Sequence, residues 1–123
     1  MLVAILHIAY LFVPLGYLVI ALAAIDLFDK TAALHMLSVG TVTTMMLAVM
    51  TRATRGHTGR ILTASRTTTI SYGAIVLCAL VRPSTSLFPE FSNIIYAVSG
   101  LLWLLAFGLF IFEYGPMLTT VRR

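Results

Sequence analysis

The chain has 123 residues, of which 60% are hydrophobic and only 10% are charged, and its formal net charge is +4. A water-soluble domain of this length needs a larger charged surface, so the composition excludes an ordinary soluble protein and indicates an integral membrane protein. Basic residues in such a protein usually mark the cytoplasmic face, so the positive charge is no argument for a nucleic-acid partner.

The first two predicted helices form a hairpin. A helix that crosses a hydrocarbon core about 30 Å thick needs about 20 residues, most of them apolar. Residues 2–25 contain no acidic or basic residue apart from a histidine and predict the first crossing. A short polar break with Asp26, Asp29 and Lys30 follows, and residues 31–50 predict the second crossing. Because the break is so short, the two helices should lie antiparallel.

Two more crossings follow a polar loop. The loop runs from Thr51 to Arg66 and contains four arginines and no acidic residue. Residues 62–81 predict the third helix, which Arg82-Pro83 should end because proline lacks an amide donor and disfavours helix in the preceding residue. Residues 92–112 predict the fourth helix, with Gly115-Pro116 as its end. The sequence therefore predicts an all-α fold, a four-helix transmembrane bundle that comprises the whole chain as one membrane domain.

The lysines and arginines predict the orientation of this bundle. With four crossings, one side of the membrane carries six of them, Arg52, Arg55, Arg60, Arg66, Arg122 and Arg123. The other side carries two, Lys30 and Arg82. By the positive-inside rule, both termini and the arginine-rich loop are predicted to be cytoplasmic.

The arginine-rich loop is also the densest candidate for a binding site. Arg52, Arg55 and Arg60 present planar donor forks that suit phosphate or carboxylate groups, and Gly56 and Gly59 would let the backbone turn sharply. The alternative is an ordinary basic loop at the cytoplasmic face. Glu113 lies at the predicted inner end of the fourth helix and should pair with one of these arginines, because an unpaired carboxylate near hydrocarbon is costly.

The second predicted helix contains a stripe of small residues. Gly40, Thr44 and Ala48 recur at every fourth position and so lie on one face. Small residues allow the backbones of two membrane helices to approach closely, so this face is predicted to pack against another helix.

Several motifs together resemble the NnrS family. They are Leu34-His35, the run Met50-Thr51-Arg52 and the run Gly56-His57-Thr58-Gly59-Arg60, with Leu6-His7 and Tyr114-Gly115-Pro116 resembling the flanking helices. The chain resembles the C-terminal third of the family. Because the members are longer and have more helices, we expect either a segment of a longer protein or a shortened homologue.

The resemblance implies a multi-pass protein of the bacterial inner (cytoplasmic) membrane that is implicated in the nitric oxide response and associated with haem or copper. Its partners would be the lipid bilayer and either other helices of a longer protein or further copies of the chain. The alternative is a structural or lipid-binding four-helix module without a cofactor. No nucleophile with an adjacent base is evident, so the sequence offers no catalytic constellation.

Three histidines are the candidate ligands for haem or copper. His7 lies near the predicted cytoplasmic end of the first helix, His57 lies in the loop on the same side, and His35 lies near the outer end of the second helix. His7 and His35 are about 15 Å apart in depth, so they should not share one metal ion. His7 and His57 could meet, with Glu113 as a third group, and are therefore predicted to matter more than His35.

Overall fold

The computed structural model describes residues 2–119, which form four helices and no strand. The helices are α1 (Ala4–Ala24), α2 (Lys30–His57), α3 (Arg66–Val81) and α4 (Ser92–Thr119). Two short 3₁₀ turns, Arg82–Ser86 and Pro89–Phe91, connect α3 to α4. The predicted all-α fold with four helices is confirmed. Arg122 and Arg123, which contribute to the predicted orientation, lie outside the described residues.

Three of the helical segments are long and apolar enough to cross a membrane: Ala4–Ala24, Lys30–His57 and Pro89–Thr119. The fourth, α3, has 16 residues and is about 24 Å long, which is less than the hydrocarbon thickness. The 3₁₀ turn Arg82–Ser86 continues it by five residues, or by about 10 Å. Together the two segments reach the length that a crossing needs.

Two helices extend beyond their predicted ends. Residues 51–57 continue α2 instead of forming a loop, because Thr51 and Thr54 are buried against the bundle while Arg52 points outward. The prediction that Gly115-Pro116 ends the fourth helix is wrong, since α4 continues to Thr119 with Pro116 inside it. Much of the clash between a proline and its predecessor involves the predecessor's Cβ, which Gly115 lacks.

The middle of α2 is π-helical, from Met36 to Thr43, and the sequence did not predict this. The hydroxyls of Thr43 and Thr44 donate to the carbonyls five residues earlier, those of Ser38 and Val39, at 2.9 and 3.0 Å. These side-chain bonds accompany the wider turn. π-helical turns occur frequently at functional sites, and this one begins directly after His35.

The α1–α2 hairpin packs through two glycines. A Cβ added to Gly40 would lie 2.6 Å from Cδ1 of Phe12, and one added to Gly16 would lie 2.3 Å from Cδ2 of Leu37. Further along α2, Thr44 and Ala48 are also fully buried. The predicted small-residue face therefore lies inside the bundle, with Gly40 against α1.

The bundle has two distinct ends. Its arginine-rich end consists of the end of α2, the start of α3 and the end of α4, and the start of α1 packs beside them. Its opposite end holds the start of α2 and Arg82 at the end of α3. Most of the apolar surface of α4 is exposed, with only Ser99, Ala106 and Tyr114 buried, which is compatible with contact with the lipid bilayer.

Candidate functional site

An ion pair lies at the arginine-rich end, between α2 and α4. Nη2 of Arg55 donates to Oε1 of Glu113 at 2.7 Å, and the two side chains are only 11% and 12% exposed. Of the three arginines considered as partners for Glu113, the structure places Arg55 there. Arg55 also donates from Nε to the Tyr114 hydroxyl at 3.1 Å and from Nη1 to the carbonyl of Ile61 at 3.3 Å.

The start of α3 supplies the remaining partners of Glu113. Its Oε2 accepts hydrogen bonds from the hydroxyls of Ser65 at 2.6 Å and Thr68 at 3.0 Å. Ser65 also caps α3, because its hydroxyl accepts from the backbone amide of Thr68 at 3.0 Å. The Tyr114 hydroxyl lies 2.8 Å from that of Thr68. The hydrogen bonds are consistent with a chain in which Arg55 donates to the Tyr114 hydroxyl, Tyr114 donates to the Thr68 hydroxyl and Thr68 donates to Glu113.

We call these five side chains, Arg55, Ser65, Thr68, Glu113 and Tyr114, the polar network. It joins α2, α3, α4 and the loop between α2 and α3. Because both carboxylate oxygens and three groups of the guanidinium already have partners inside the protein, the geometry suits a structural clasp more than a ligand site. Beside it, the buried hydroxyls of Thr51 and Tyr72 are hydrogen-bonded to each other and add a contact between α2 and α3.

The other residues of the predicted arginine loop are arranged differently from the expectation. Arg52 and Arg60 are exposed, and neither side chain has a hydrogen-bond or ion-pair partner within residues 2–119. Gly56 lies inside α2, so the prediction that it forms a loop turn is wrong. Gly59 does form a turn, with φ of 67°. The arginines thus divide into a partly buried structural one, Arg55, and two exposed ones that have no partner among residues 2–119 and can meet a ligand.

The histidines do not form a shared metal site in the part of the chain that the structure describes. His7 is exposed, and its Nδ1 lies 2.9 Å from the carbonyl of Val3. His57 is exposed in the last turn of α2, and Glu113 is occupied by the polar network. No three histidine, cysteine, aspartate or glutamate side chains among residues 2–119 are placed to hold a metal ion. The expectation that Glu113 joins His7 and His57 in one site is therefore wrong.

Two of the histidines line depressions. His57 and Arg52 share one of about 330 Å³ with Gly56, on the outer face of α2. His35 is half-buried and lines a second one, of about 250 Å³, together with Arg82 and Trp103. The sequence placed no charge other than Lys30 near His35, because a linear pattern does not show that α3 ends beside the start of α2.

Three residues of the polar network escaped the sequence analysis as site residues: Ser65, Thr68 and Tyr114. Ser65 had a usable signal, since serine before a helix is a typical N-cap. Tyr114 directly follows Glu113, but nothing in the sequence shows that it is fully buried.

A comparison with known protein families matches residues 1–122, which is essentially the whole chain, to the NnrS protein family. A search of curated proteins and a search of solved structures find no significant match. The family match agrees with a structure of long apolar helices. The chain therefore belongs to the NnrS family and is a multi-pass membrane protein.

Proposed function

We propose that this protein acts in nitric oxide metabolism in the bacterial inner membrane and does so in association with haem or copper. The single observation that carries the proposal is the family match over residues 1–122. A nitric oxide role is what membership of this family generally implies. The arrangement of the candidate ligands in this chain supports haem more than copper.

The donor set fits haem better than copper. A copper ion held by protein side chains alone needs several converging ligands, and the described residues offer no group of three histidine, cysteine, aspartate or glutamate side chains. Haem iron receives four nitrogens from its porphyrin and needs only one axial imidazole from the protein. Haem bound to a single histidine of this chain would supply an iron centre that can bind a small diatomic molecule. Copper in this chain would need ligands from further helices or from a second copy.

His57 is the histidine best placed for that role. It lies beside Arg52, whose guanidinium can hold an acidic group such as a propionate through paired hydrogen bonds. A Cβ added to Gly56 would meet nothing within 4 Å, so the depression is open next to both side chains. His57 would bind the haem iron through its imidazole, and Arg52 would hold an acidic group of the cofactor. His7, at the same end of the bundle, is the second candidate.

The alternative function is a structural or lipid-binding four-helix module. It is favoured by the polar network, which satisfies the buried charges inside the protein, and by the exposed apolar surface of α4. In that case the exposed arginines would contact lipid headgroups and the histidines would hold no cofactor.

A comparison of histidine variants tests the proposal. The Soret absorbance and the copper content of purified protein would be measured for the wild type and for His57→Ala, His7→Ala and His35→Ala. We expect the Soret band to be largely lost in His57→Ala, weakened in His7→Ala and retained in His35→Ala. Loss in His35→Ala alone would refute a site at the arginine-rich end. A wild type without haem or copper would support the structural alternative.

A further inference from the structure

The depression beside His35 lies at the opposite end of the bundle from the polar network. It is formed between α2, α3 and α4, and its polar side chains are those of His35, Cys78, Arg82, Tyr96 and Ser99. None of the described residues that line it is acidic. Its volume of about 250 Å³ is below the usual range for pockets that enclose drug-sized molecules, so it suits a small polar group.

Arg82 is a half-buried cation that has no counter-charge among residues 2–119. Its Cζ lies 4.1 Å from the centroid of the Tyr96 ring, so the ring covers one face of the guanidinium. Within residues 2–119, the side chain forms no ion pair and donates no hydrogen bond. Arg55 at the other end shows the contrast, since three groups of its guanidinium have acceptors. The stacking on Tyr96 leaves the N–H edges of Arg82 available.

His35 is the second donor without a hydrogen-bond partner in the described part of the chain. It is half-buried and lines the same depression, and its ring nitrogens have no hydrogen-bond partner among the described residues. The Cys78 thiol is different, because it already donates to the carbonyl of Ser99 at 3.2 Å. The depression therefore presents an arginine fork and an imidazole at the edge of an apolar bundle, and neither donates a hydrogen bond to any of the residues that the structure describes.

We propose that this depression binds an anionic phosphate group, with Arg82 as the main donor and His35 as the second. A charged arginine close to hydrocarbon is costly unless it is paired, and a phosphate offers two oxygens to the free edge of the guanidinium. The phosphate can belong to the headgroup of an anionic phospholipid or be a free oxyanion. Only the phospholipid carries acyl chains, and these would lie beside α4.

The single tryptophan of the chain provides the measurement. Trp103 is the only tryptophan in the sequence, lines the depression and is 42% exposed, so its fluorescence reports on the depression and on the lipid that contacts α4 beside it. The protein would be purified in an uncharged sugar detergent that contains no phosphate. Phosphatidylglycerol with brominated acyl chains, brominated diacylglycerol or inorganic phosphate would then be added, and quenching or a shift of the Trp103 emission recorded.

We expect brominated phosphatidylglycerol to quench Trp103 at lower concentration than brominated diacylglycerol. Arg82→Gln should weaken this binding about tenfold, the factor that corresponds to one charge-assisted hydrogen bond. Arg82→Lys should bind with intermediate strength, because it keeps the charge and loses the planar fork. Arg66→Gln is the matched control, since Arg66 is exposed at the other end of the same helix and should leave binding unchanged.

The responses to the three additives distinguish a lipid headgroup from a free oxyanion as the bound phosphate. Arg82-dependent quenching by the brominated phospholipid supports a lipid headgroup. An Arg82-dependent response to inorganic phosphate, with equal quenching by both brominated lipids, supports a free oxyanion. Equal responses of wild type, Arg82→Gln and Arg82→Lys to all three additives would overturn the proposal. Circular dichroism of each variant shows whether the helices are intact, and Arg82→Lys keeps the test valid if Arg82→Gln does not fold.

Discussion

Replacing Glu113 with leucine is expected to lower the free energy of unfolding by up to about 3–5 kcal/mol, which is the cost of leaving one member of a fully buried ion pair without its partner. The change leaves the Arg55 guanidinium without its counter-charge at a position where the side chain is only 11% exposed. It also removes the acceptor of the Ser65 and Thr68 hydroxyls, so the link between α3 and α4 is weakened at the same time.

The buried cysteine offers a direct readout of this loss. Cys78 is the only cysteine of the chain. It lines the depression beside His35 but is only 4% exposed, so a bulky thiol-reactive dye should label it much faster once the bundle opens. The temperature at which half of the Cys78 thiol is labelled should be much lower for Glu113→Leu than for the wild type. Glu90→Leu is the matched control, because Glu90 is exposed at the opposite end of the bundle and belongs to no ion pair of the described residues.

A double-mutant cycle identifies the cause. Arg55→Leu alone should also be strongly destabilising, because it leaves a buried carboxylate without its counter-charge. Arg55→Leu combined with Glu113→Leu should cost less than the sum of the two single changes, because no unpaired buried charge then remains. Strictly additive losses would contradict the assignment of Arg55 and Glu113 as an energetically coupled pair.

Gly40→Ala is expected to cost about 1–3 kcal/mol through overpacking of the α1–α2 hairpin. The new methyl group would lie 2.6 and 2.7 Å from two ring atoms of Phe12 and 3.1 Å from its Cβ, so a rigid ring and its backbone attachment would have to shift. Gly16→Ala should cost less, because the atoms it meets are the end of the flexible Leu37 side chain. The temperature at which half of the Cys78 thiol is labelled measures the loss of stability in both variants.

Gly108→Ala is the control for this prediction. A Cβ at Gly108 in α4 would meet nothing within 4 Å, so the substitution should be neutral or slightly stabilising, as alanine is the better helix former. Replacing the Phe12 ring with a smaller side chain, in a Gly40→Ala, Phe12→Leu double variant, should recover part of the lost stability. A Gly40→Ala protein as stable as the wild type would show that α1 and α2 do not approach each other in this way.

Composition and hydrophobic pattern were sufficient for the fold class. Long apolar stretches without charges predicted the helices, and an isolated acidic residue, Glu113, with a cluster of arginines predicted an ion pair at that end. The pattern placed the end of α2 seven residues too early because it treated the first arginine as the end of the helix. Tertiary contacts of Thr51 and Thr54 with the bundle, which no local pattern shows, continue the helix to His57.

The candidate sites were predictable only in part. His57 and Arg52 are neighbours in sequence as well as in space, so the spacing sufficed to pair them. His35 and Arg82 come together because α3 returns to the start of α2, over a separation of 47 positions in the sequence. The π-helical turn after His35 was also beyond prediction, because the features that accompany it, the contact of Gly40 with Phe12 and the hydrogen bonds of two threonines, do not show in the sequence.

The number of crossings is the claim on which the two ends of the bundle depend, and reporter fusions at Arg66 and at Ser86 test it most directly. These positions bracket α3 and its 3₁₀ continuation, the segment that is shortest for a crossing. A green fluorescent reporter should be active at Arg66 and an alkaline phosphatase reporter at Ser86, with both inactive in the reverse arrangement. Reports from the same side at both positions would show that α3 does not cross, and exchanged reports would place the arginine-rich end outside the cytoplasm.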